Sequence, residues 1–154
     1  MIDRALAALA GQQNGVFTRR DAVRLGFDTG AIDYRLAIGR WHKVFRCVYS
    51  LTPQVSIEGQ RRAAVLSVGE DAAAGRRMAA LLHGFEPPAT RFFDVVCPRH
   101  GHSRGTIRVH REPLPPAEVA VVDGIRVTSV ARTLADLART ERDPRAVELS
   151  LIHI

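Results

Sequence analysis

The sequence predicts an α+β protein in which an N-terminal winged helix-turn-helix precedes a small domain of helices packed on an antiparallel sheet. Three observations favour this fold. Two short helical segments meet at a corner marked by Gly26, as in a helix-turn-helix. Two strand-like segments then surround Arg46 and resemble a wing. Downstream, further strand-like segments contain an Asp-Gly pair that is typical of a hairpin, and another helix follows.

The helices before the wing have recognisable starts. An amphipathic helix over 3–11 comes first. Thr18 and Asp21 stand three residues apart and predict a capping box, in which each side chain accepts a hydrogen bond from the other residue's backbone N–H. Thr29 is predicted to cap the next helix, which runs to Gly39.

The 29–39 helix has two different faces. Ile32 and Leu36, four residues apart, are predicted to face the core. Asp33 lies on the opposite side of the helix. For Tyr34, a core position and an exposed one are both open at this point.

The wing consists of predicted strands over 41–45 and 47–51, with Trp41 as its packing anchor. Thr52-Pro53 then breaks the pattern and marks the predicted domain boundary.

The central region mixes helical and strand-like segments. Helices are predicted over 56–68 and 76–83, and strands over 91–97, 106–111, 119–122 and 125–127. Thr128 or Ser129 caps a last helix through Ala138, with Val130, Leu134 and Leu137 facing inward. We therefore predict a winged helix-turn-helix over 1–52 and a central α+β domain over 53–140. The apolar end of the chain breaks the pattern of a charged helix, so we expect 141–154 to be a truncated helix with a non-native tail after Glu148.

Positive charge is concentrated at the amino end. The chain has 22 basic and 16 acidic residues, a net charge of +6, and residues 1–50 contribute +4 with eight basic and four acidic side chains. Phosphate binding requires a local excess of this kind. With the helix pattern, it predicts that double-stranded DNA is bound, with the 29–39 helix in the major groove. The predicted contact residues are Arg19, Arg20, Thr29, Asp33, Tyr34, Arg35, Arg40, Lys43 and Arg46.

The sequence predicts a cytoplasmic protein without a membrane span. The first residues have an acid at position 3 and too short an apolar run for a signal peptide. No segment approaches the roughly 18 apolar residues that a span requires. Cys47 and Cys97 are far apart in the sequence, so both are expected to be buried thiols in a reducing compartment.

One loop of the central region contains several residue types found in catalytic and metal sites. Its G-x-S-x-G pattern over 101–105 lacks the following helix, acid and histidine of a hydrolase. Cys97, His100, His102 and His110 allow a zinc site as an alternative, but their spacing is irregular. A basic loop between strands is the simpler interpretation.

Other catalytic patterns are incomplete as well. Lys43 has no acid two residues before it, which excludes the PD-(D/E)xK nuclease motif, and no P-loop or D-x-D pair is present. We therefore predict no enzymatic activity, no metal and no cofactor.

Taken in order, the motifs of this chain resemble the AbiEi-family antitoxin-domain proteins of actinobacteria. The segments that resemble the family are TRRDAVRLGF, GAIDYRLAIGRWHKVFRCVYSL, MAALLHGF, FFDVVCPRHG and IRVHREPLPPAEVAVVDGIRVTSVARTLADLA. They cover the chain from about Leu6 to Ala138. In two places the chain departs from the family: Cys47 replaces the usual glycine before Val-Tyr, and Gly75-Arg76 stands where Ser-His is frequent.

The resemblance implies an N-terminal winged helix, a central α+β domain, repression of a toxin–antitoxin operon and neutralisation of a nucleotidyltransferase-like toxin. It also implies that many relatives continue into a domain similar to very-short-patch-repair endonucleases. We predict a sequence-specific DNA-binding regulator of antitoxin type that represses its own operon. The alternative is the targeting portion of a nuclease-related protein whose catalytic domain lies beyond residue 148.

Overall fold

The computed structural model describes residues 1–142 and residue 148. The chain forms two compact units, Met1–Ser67 and Val68–Ile154. The predicted non-native tail lies outside the described residues. Within the part that is described, no helix combines the length and the apolar character needed to cross a bilayer.

The first unit, in which every residue is described, combines helices with a three-stranded antiparallel sheet. Its elements are α1 (Ile2–Gln12), β1 (Val16–Thr18), α2 (Arg19–Arg24), α3 (Thr29–Ala37), β2 (His42–Phe45), β3 (Val48–Ser50) and α4 (Ile57–Val68). β3 lies between β1 and β2. This order is a winged helix-turn-helix and confirms the predicted fold. Strand β1 was not predicted, because its three residues are too few to establish an alternating pattern.

Side-chain caps fix the starts of both helices of the helix-turn-helix. The capping box before α2 is present: Asp21 N–H donates to Thr18 Oγ1 at 3.0 Å, and Thr18 N–H donates to Asp21 Oδ2 at 2.9 Å. The cap of α3 is Asp28, whose Oδ1 accepts from Ala31 N–H at 2.7 Å. The prediction that Thr29 caps α3 is therefore wrong by one residue. Aspartate and threonine are both favoured at the N-cap of a helix, so the sequence does not distinguish Asp28 from Thr29 as the cap.

Four aromatic side chains join the helices to the hairpin. The Trp41 ring is 5.0 Å from the Phe17 ring and 5.1 Å from the Phe27 ring, both edge-on. Tyr49 completes the cluster with its ring 6.4 Å from Trp41. Trp41 is buried, which confirms its role as the packing anchor of the wing.

Helix α4 packs on the sheet of the first unit. Its Ala63 is buried in one cluster with Val16 and Val48 of the sheet. Arg62 donates to the carbonyl of Gln12 at 3.1 Å and to Asn14 Oδ1 at 2.8 Å. The domain limits proposed from sequence stay a prediction, but these contacts associate α4 with the winged helix.

The second unit contains a five-stranded sheet covered by helices. Its described elements are β4 (Ala73–Ala74), α5 (Arg76–Leu82), β5 (Phe93–Cys97), β6 (Ile107–Arg111), a 3₁₀ turn (Pro116–Glu118), β7 (Val119–Val122), β8 (Ile125–Thr128) and α6 (Val130–Thr140). The strand order is β6-β5-β4-β8-β7.

This second sheet is mixed, which corrects the antiparallel sheet expected from sequence. β5 runs parallel to β6 over five residue pairs, and β4 is parallel to β8 at the Ala74–Val127 pair. The other two pairings are antiparallel. The loop over 98–106 returns the chain so that β6 can run parallel to β5. Parallel neighbours are usually connected through a helix, and none is indicated between these two strands, so the parallel pairing was not predicted.

The hairpin of β7 and β8 forms as predicted. Asp123 and Gly124 have φ values of 50° and 77°, as a type I′ turn requires. Ser129 caps α6 by accepting from Arg132 N–H at 3.2 Å. Val130 was expected to face inward, but it is 40% exposed because it lies in the first turn, beyond the edge of the core.

An ionic network holds α6 against the preceding segment. Arg132 is 13% exposed and donates to Glu118 at 2.6 Å, to Asp136 at 2.9 Å and to Glu112 at 3.2 Å. Glu112 also accepts from Arg76 at 2.8 Å. These contacts join α5, α6 and the connection before β7.

Candidate nucleic-acid interface

Helix α3 presents one side to the core and the other to solvent. Ile32 is fully buried, and Leu36 packs against the same cluster. On the opposite side Asp33 is exposed, and Tyr34 is 63% exposed. Of the two positions left open for Tyr34, the structure selects the exposed one. The outward face of α3 is therefore available to a partner.

Arg19 connects the two helices to the sheet. Its guanidinium donates to Asp33 Oδ1 at 3.0 Å and to the Tyr49 hydroxyl at 3.3 Å. The hydrogen bonds to Tyr49 and to Asp33 raise the pKa of Arg19 above its ordinary value, so it keeps its charge. Through these two contacts Arg19 holds the Asp33 side chain, on the outward face of α3, in a fixed position relative to the sheet.

The predicted contact Arg35 lies mostly inside the unit. Its guanidinium carbon is 4.8 Å from the centre of the Phe27 ring and 5.7 Å from the Trp41 ring. It also pairs with Asp3 of α1 at 3.4 Å, and its side chain is only 19% exposed. These contacts tie α1, α3 and the aromatic cluster together.

The remaining predicted contacts are all exposed. Thr29 begins α3, Arg20 belongs to α2, and Arg40 follows α3 directly. Lys43 lies on β2 and Arg46 in the turn of the wing.

The register of the hairpin determines the side of the sheet on which Lys43 lies. Lys43 is directly paired with Tyr49 across the β2–β3 ladder. Opposed residues of an antiparallel pair point to the same face of a sheet. Lys43 and Tyr49 therefore point to the same face of the sheet. The Tyr49 hydroxyl on this face accepts from Arg19, which also donates to Asp33 of α3. Tyr49 was missing from the predicted site, since no sequence pattern pairs positions 30 residues apart.

The acidic groups of residues 1–50 are all engaged within the unit. Asp21 and Asp28 cap helices, while Asp33 and Asp3 pair with arginines. These contacts reduce the local repulsion that phosphates would otherwise meet from the carboxylates. The excess positive charge of the unit then resides on its other basic side chains.

The turn of the wing has an unusual residue. Cys47 adopts φ 58°, in the left-handed region that favours glycine. It is also exposed, so the expectation of a buried thiol is wrong for Cys47 and right for Cys97. The side chain points outward because the residue occupies the hairpin turn.

Among the described residues of the second unit, Ser103 is not at the centre of a hydrolase site. Its hydroxyl accepts from Val109 N–H at 3.0 Å, and β6 follows where a nucleophile elbow needs a helix. The imidazole of His110 pairs with Asp94 at 2.8 Å.

Family models match both parts of the chain. Residues 4–52 match the family described as "Transcriptional regulator, AbiEi antitoxin", and residues 72–150 match the "AbiEi antitoxin C-terminal domain". The chain belongs to the AbiEi antitoxin family. The first match coincides with the winged helix-turn-helix, so the part of the chain that matches a transcriptional-regulator family is also the part with this fold.

A solved structure has a similar fold. It is the Rv2827c protein from Mycobacterium tuberculosis, with a TM-score of 0.53 and 16% sequence identity over 88% of this chain. The chain corresponds to 59% of the length of that protein. Comparison with curated protein sequences gives no match. At this identity the similarity concerns the fold alone.

Proposed function

We propose that this AbiEi antitoxin binds a specific DNA sequence near its own operon and represses transcription from it. The observation that best supports the proposal is the outward face of α3, where Asp33 and Tyr34 are exposed beside the basic side chains of the first unit. A winged helix-turn-helix inserts its second helix into the major groove. Here that helix is α3.

In the proposed complex, Thr29, Asp33 and Tyr34 contact base edges. The Asp33 carboxylate keeps one oxygen on Arg19, and a carboxylate has further acceptor positions for the N4 amino group of cytosine. Arg19 thereby holds the carboxylate in place and neutralises its charge near the phosphates. This makes Arg19 a positioning residue for the DNA contact.

Phosphate contacts are proposed for the exposed cations around α3. These are Arg20 before it, Arg40 after it, and Lys43 and Arg46 on the wing. Each neutralised phosphate releases counterions, so binding weakens as salt increases. Arg35 is assigned to bracing the domain, because its guanidinium packs on Phe27 and pairs with Asp3.

The experiment starts by selecting genomic fragments with the purified chain, including the region upstream of its own gene. Binding to the selected site is then measured against salt for the wild type, Lys43→Ala and Arg46→Ala. Each substitution is expected to weaken binding to all sequences and to reduce the slope of log K against log salt by about one unit. Arg91→Ala, which removes an exposed cation of the second unit, is the matched control.

Two outcomes would contradict the proposal: no enrichment of any fragment, or slopes that Lys43→Ala and Arg46→Ala leave unchanged. Self-repression is measured separately with a reporter driven by the upstream region. Reporter expression that stays the same with and without the antitoxin would contradict repression while leaving DNA binding intact.

We also propose that the antitoxin acts in the cytoplasm, without enzymatic activity, and that its second unit binds a cognate nucleotidyltransferase-like toxin. The match of residues 72–150 to the antitoxin C-terminal domain supports the proposed toxin partner. Purification of the tagged chain with the product of the adjacent gene tests it. A neighbouring toxin-like protein that does not copurify would contradict the proposed partner.

A further inference from the structure

Three side chains with different metal-binding atoms meet at one end of the second sheet. The Cys97 thiol is 3.5 Å from Asp71 Oδ1 and 3.9 Å from His100 Nδ1. His100 Nε2 lies 3.3 Å from the same Asp71 oxygen. One ligand atom from each residue lies within 4.8 Å of the others. No other group of this kind occurs among residues 1–142 and 148.

We propose that Asp71, Cys97 and His100 bind a zinc ion, with a water or an exogenous ligand in the fourth position. Zinc takes sulfur at about 2.3 Å and nitrogen or oxygen at about 2.0–2.1 Å, so tetrahedral ligand atoms are about 3.3–3.6 Å apart. The Cys97 sulfur and the Asp71 oxygen are 3.5 Å apart; His100 places Nδ1 3.9 Å from that sulfur and Nε2 3.3 Å from that oxygen, and one of these two nitrogens would bind the ion. A small rotation of His100, whose side chain is 55% exposed, is enough to direct one ring nitrogen to the ion.

The sheet brings together Asp71, in the turn before β4, and Cys97, at the end of β5. Ala73 pairs with Val96 in the β4–β5 ladder. Asp71 precedes this pair by two residues and Cys97 follows it by one, so antiparallel pairing makes them neighbours. Cys97 is fully buried, which gives its sulfur a single fixed position.

A glycine allows the third ligand to approach. A Cβ placed on Gly69 would lie 2.7 Å from His100 Cε1. Any larger residue at position 69 would therefore displace the imidazole ring. The glycine therefore leaves the room that the His100 ring occupies near the sulfur.

The charges and protons of the site balance when zinc binds. Without the ion, the Cys97 thiol keeps its proton and donates a hydrogen bond to Asp71 Oδ1. On binding, that proton passes to solvent, and the thiolate, the carboxylate and a neutral imidazole together compensate the two charges of zinc. Zinc binding would fix the 98–106 loop to the start of β4.

The structure corrects the ligand set considered from the sequence. His110 pairs with Asp94, and His102 does not belong to the cluster that the described residues form. Asp71 was not considered, because it lies 26 residues before Cys97. The prediction of no metal was based on the irregular Cys-x-x-His-x-His spacing. The proposed site uses only Cys97 and His100 from that segment, and its third ligand is Asp71.

The test is a titration of the metal-free full chain with Co²⁺, a zinc substitute with visible absorption. We expect one Co²⁺ per chain, tetrahedral d–d bands, a thiolate-to-cobalt charge-transfer band, and displacement by Zn²⁺. Cys97→Ser should abolish the charge-transfer band, and His100→Ala should weaken binding by more than roughly tenfold. Matched controls are Cys47→Ser, the other thiol, and His102→Ala, an exposed histidine of the same loop.

Absence of saturable binding at micromolar Co²⁺ would overturn the proposal. A charge-transfer band that survives in Cys97→Ser and disappears in Cys47→Ser would overturn it as well. Cys97 is buried, so Cys97→Ser could lose metal binding through misfolding. His100→Ala tests the site without this problem, because the His100 side chain is exposed. Equal affinities for His100→Ala and His102→Ala would also contradict the proposed ligand set.

Discussion

At the scale of single residues, two side chains of the first unit have backbone or burial properties that their residue types do not favour. Cys47 has a left-handed backbone in the wing turn, a conformation that favours glycine. Arg35 is a largely buried cation on an aromatic cluster. Each leads to a prediction about stability.

Replacing Cys47 with glycine is expected to stabilise the fold. A side chain in the left-handed region costs about 1–2 kcal/mol, and the greater freedom of glycine in the unfolded chain offsets about 0.5–1 kcal/mol of this. Cys47→Gly should thus raise the free energy of unfolding by about 0.5–1 kcal/mol in urea titrations. Cys47→Ala, which keeps a Cβ, is the control and should give no gain; a less stable glycine variant would contradict the strain.

Replacing Arg35 with alanine should affect stability more than DNA binding. The change removes two cation–π contacts, the packing of the side-chain stem and the pair with Asp3, a loss of about 2 kcal/mol. Arg40→Ala, at an exposed position, should stay within about 0.5 kcal/mol of the wild type.

The two variants are compared by urea unfolding and by the salt dependence of DNA binding. Arg40→Ala should reduce the salt slope, and Arg35→Ala should not. A reduced slope for Arg35→Ala with unchanged stability would mean that Arg35 contacts phosphate after all.

At the scale of elements, the ionic network before α6 predicts how stability depends on pH. Burial alone would raise the pKa of Glu112, but Arg76 and Arg139 outweigh it, so the pKa lies below the ordinary value. A carboxyl with a depressed pKa in the folded state stabilises the fold above its unfolded pKa of about 4.3. That contribution is lost as the pH falls through the folded pKa.

Glu112→Gln removes this titration. At neutral pH it should lower the free energy of unfolding by about 1–3 kcal/mol, because Arg76 and Arg132 lose a charged acceptor. Below about pH 4 the difference between variant and wild type should narrow. Urea unfolding at a series of pH values measures both effects; a constant difference down to pH 3 would contradict the assignment.

In both units, the elements that local rules determine were largely predictable from the sequence. The Thr18–Asp21 capping box, the Asp123-Gly124 hairpin and the burial of Ile32 each follow from a few neighbouring residues. The parallel pairing of β5 with β6 depends on how a whole loop returns through space. No local pattern encodes that.

At the scale of the whole molecule, the candidate interface was predictable in position and less so in detail. The concentration of basic residues near the amino end and the helix order indicated it. The sequence did not indicate which arginines have partners within the unit. Arg19 donates to Asp33 and Tyr49, and Arg35 packs on the aromatic cluster of the core. The partners of Arg19 and Arg35 are distant in the sequence, so no local pattern predicts these contacts. Asp71 and Cys97 are likewise far apart in the sequence and meet only in the fold.

The central claim is that α3 distinguishes one DNA sequence from another. The most direct measurement compares Tyr34→Ala and wild type on the selected site and on unrelated DNA at the same salt concentration. We predict that Tyr34→Ala weakens binding to the selected site by about tenfold, in line with the roughly 1–3 kcal/mol that a base contact contributes, while binding to unrelated DNA stays unchanged. Equal losses on both DNAs, or no loss on either, would contradict the claim.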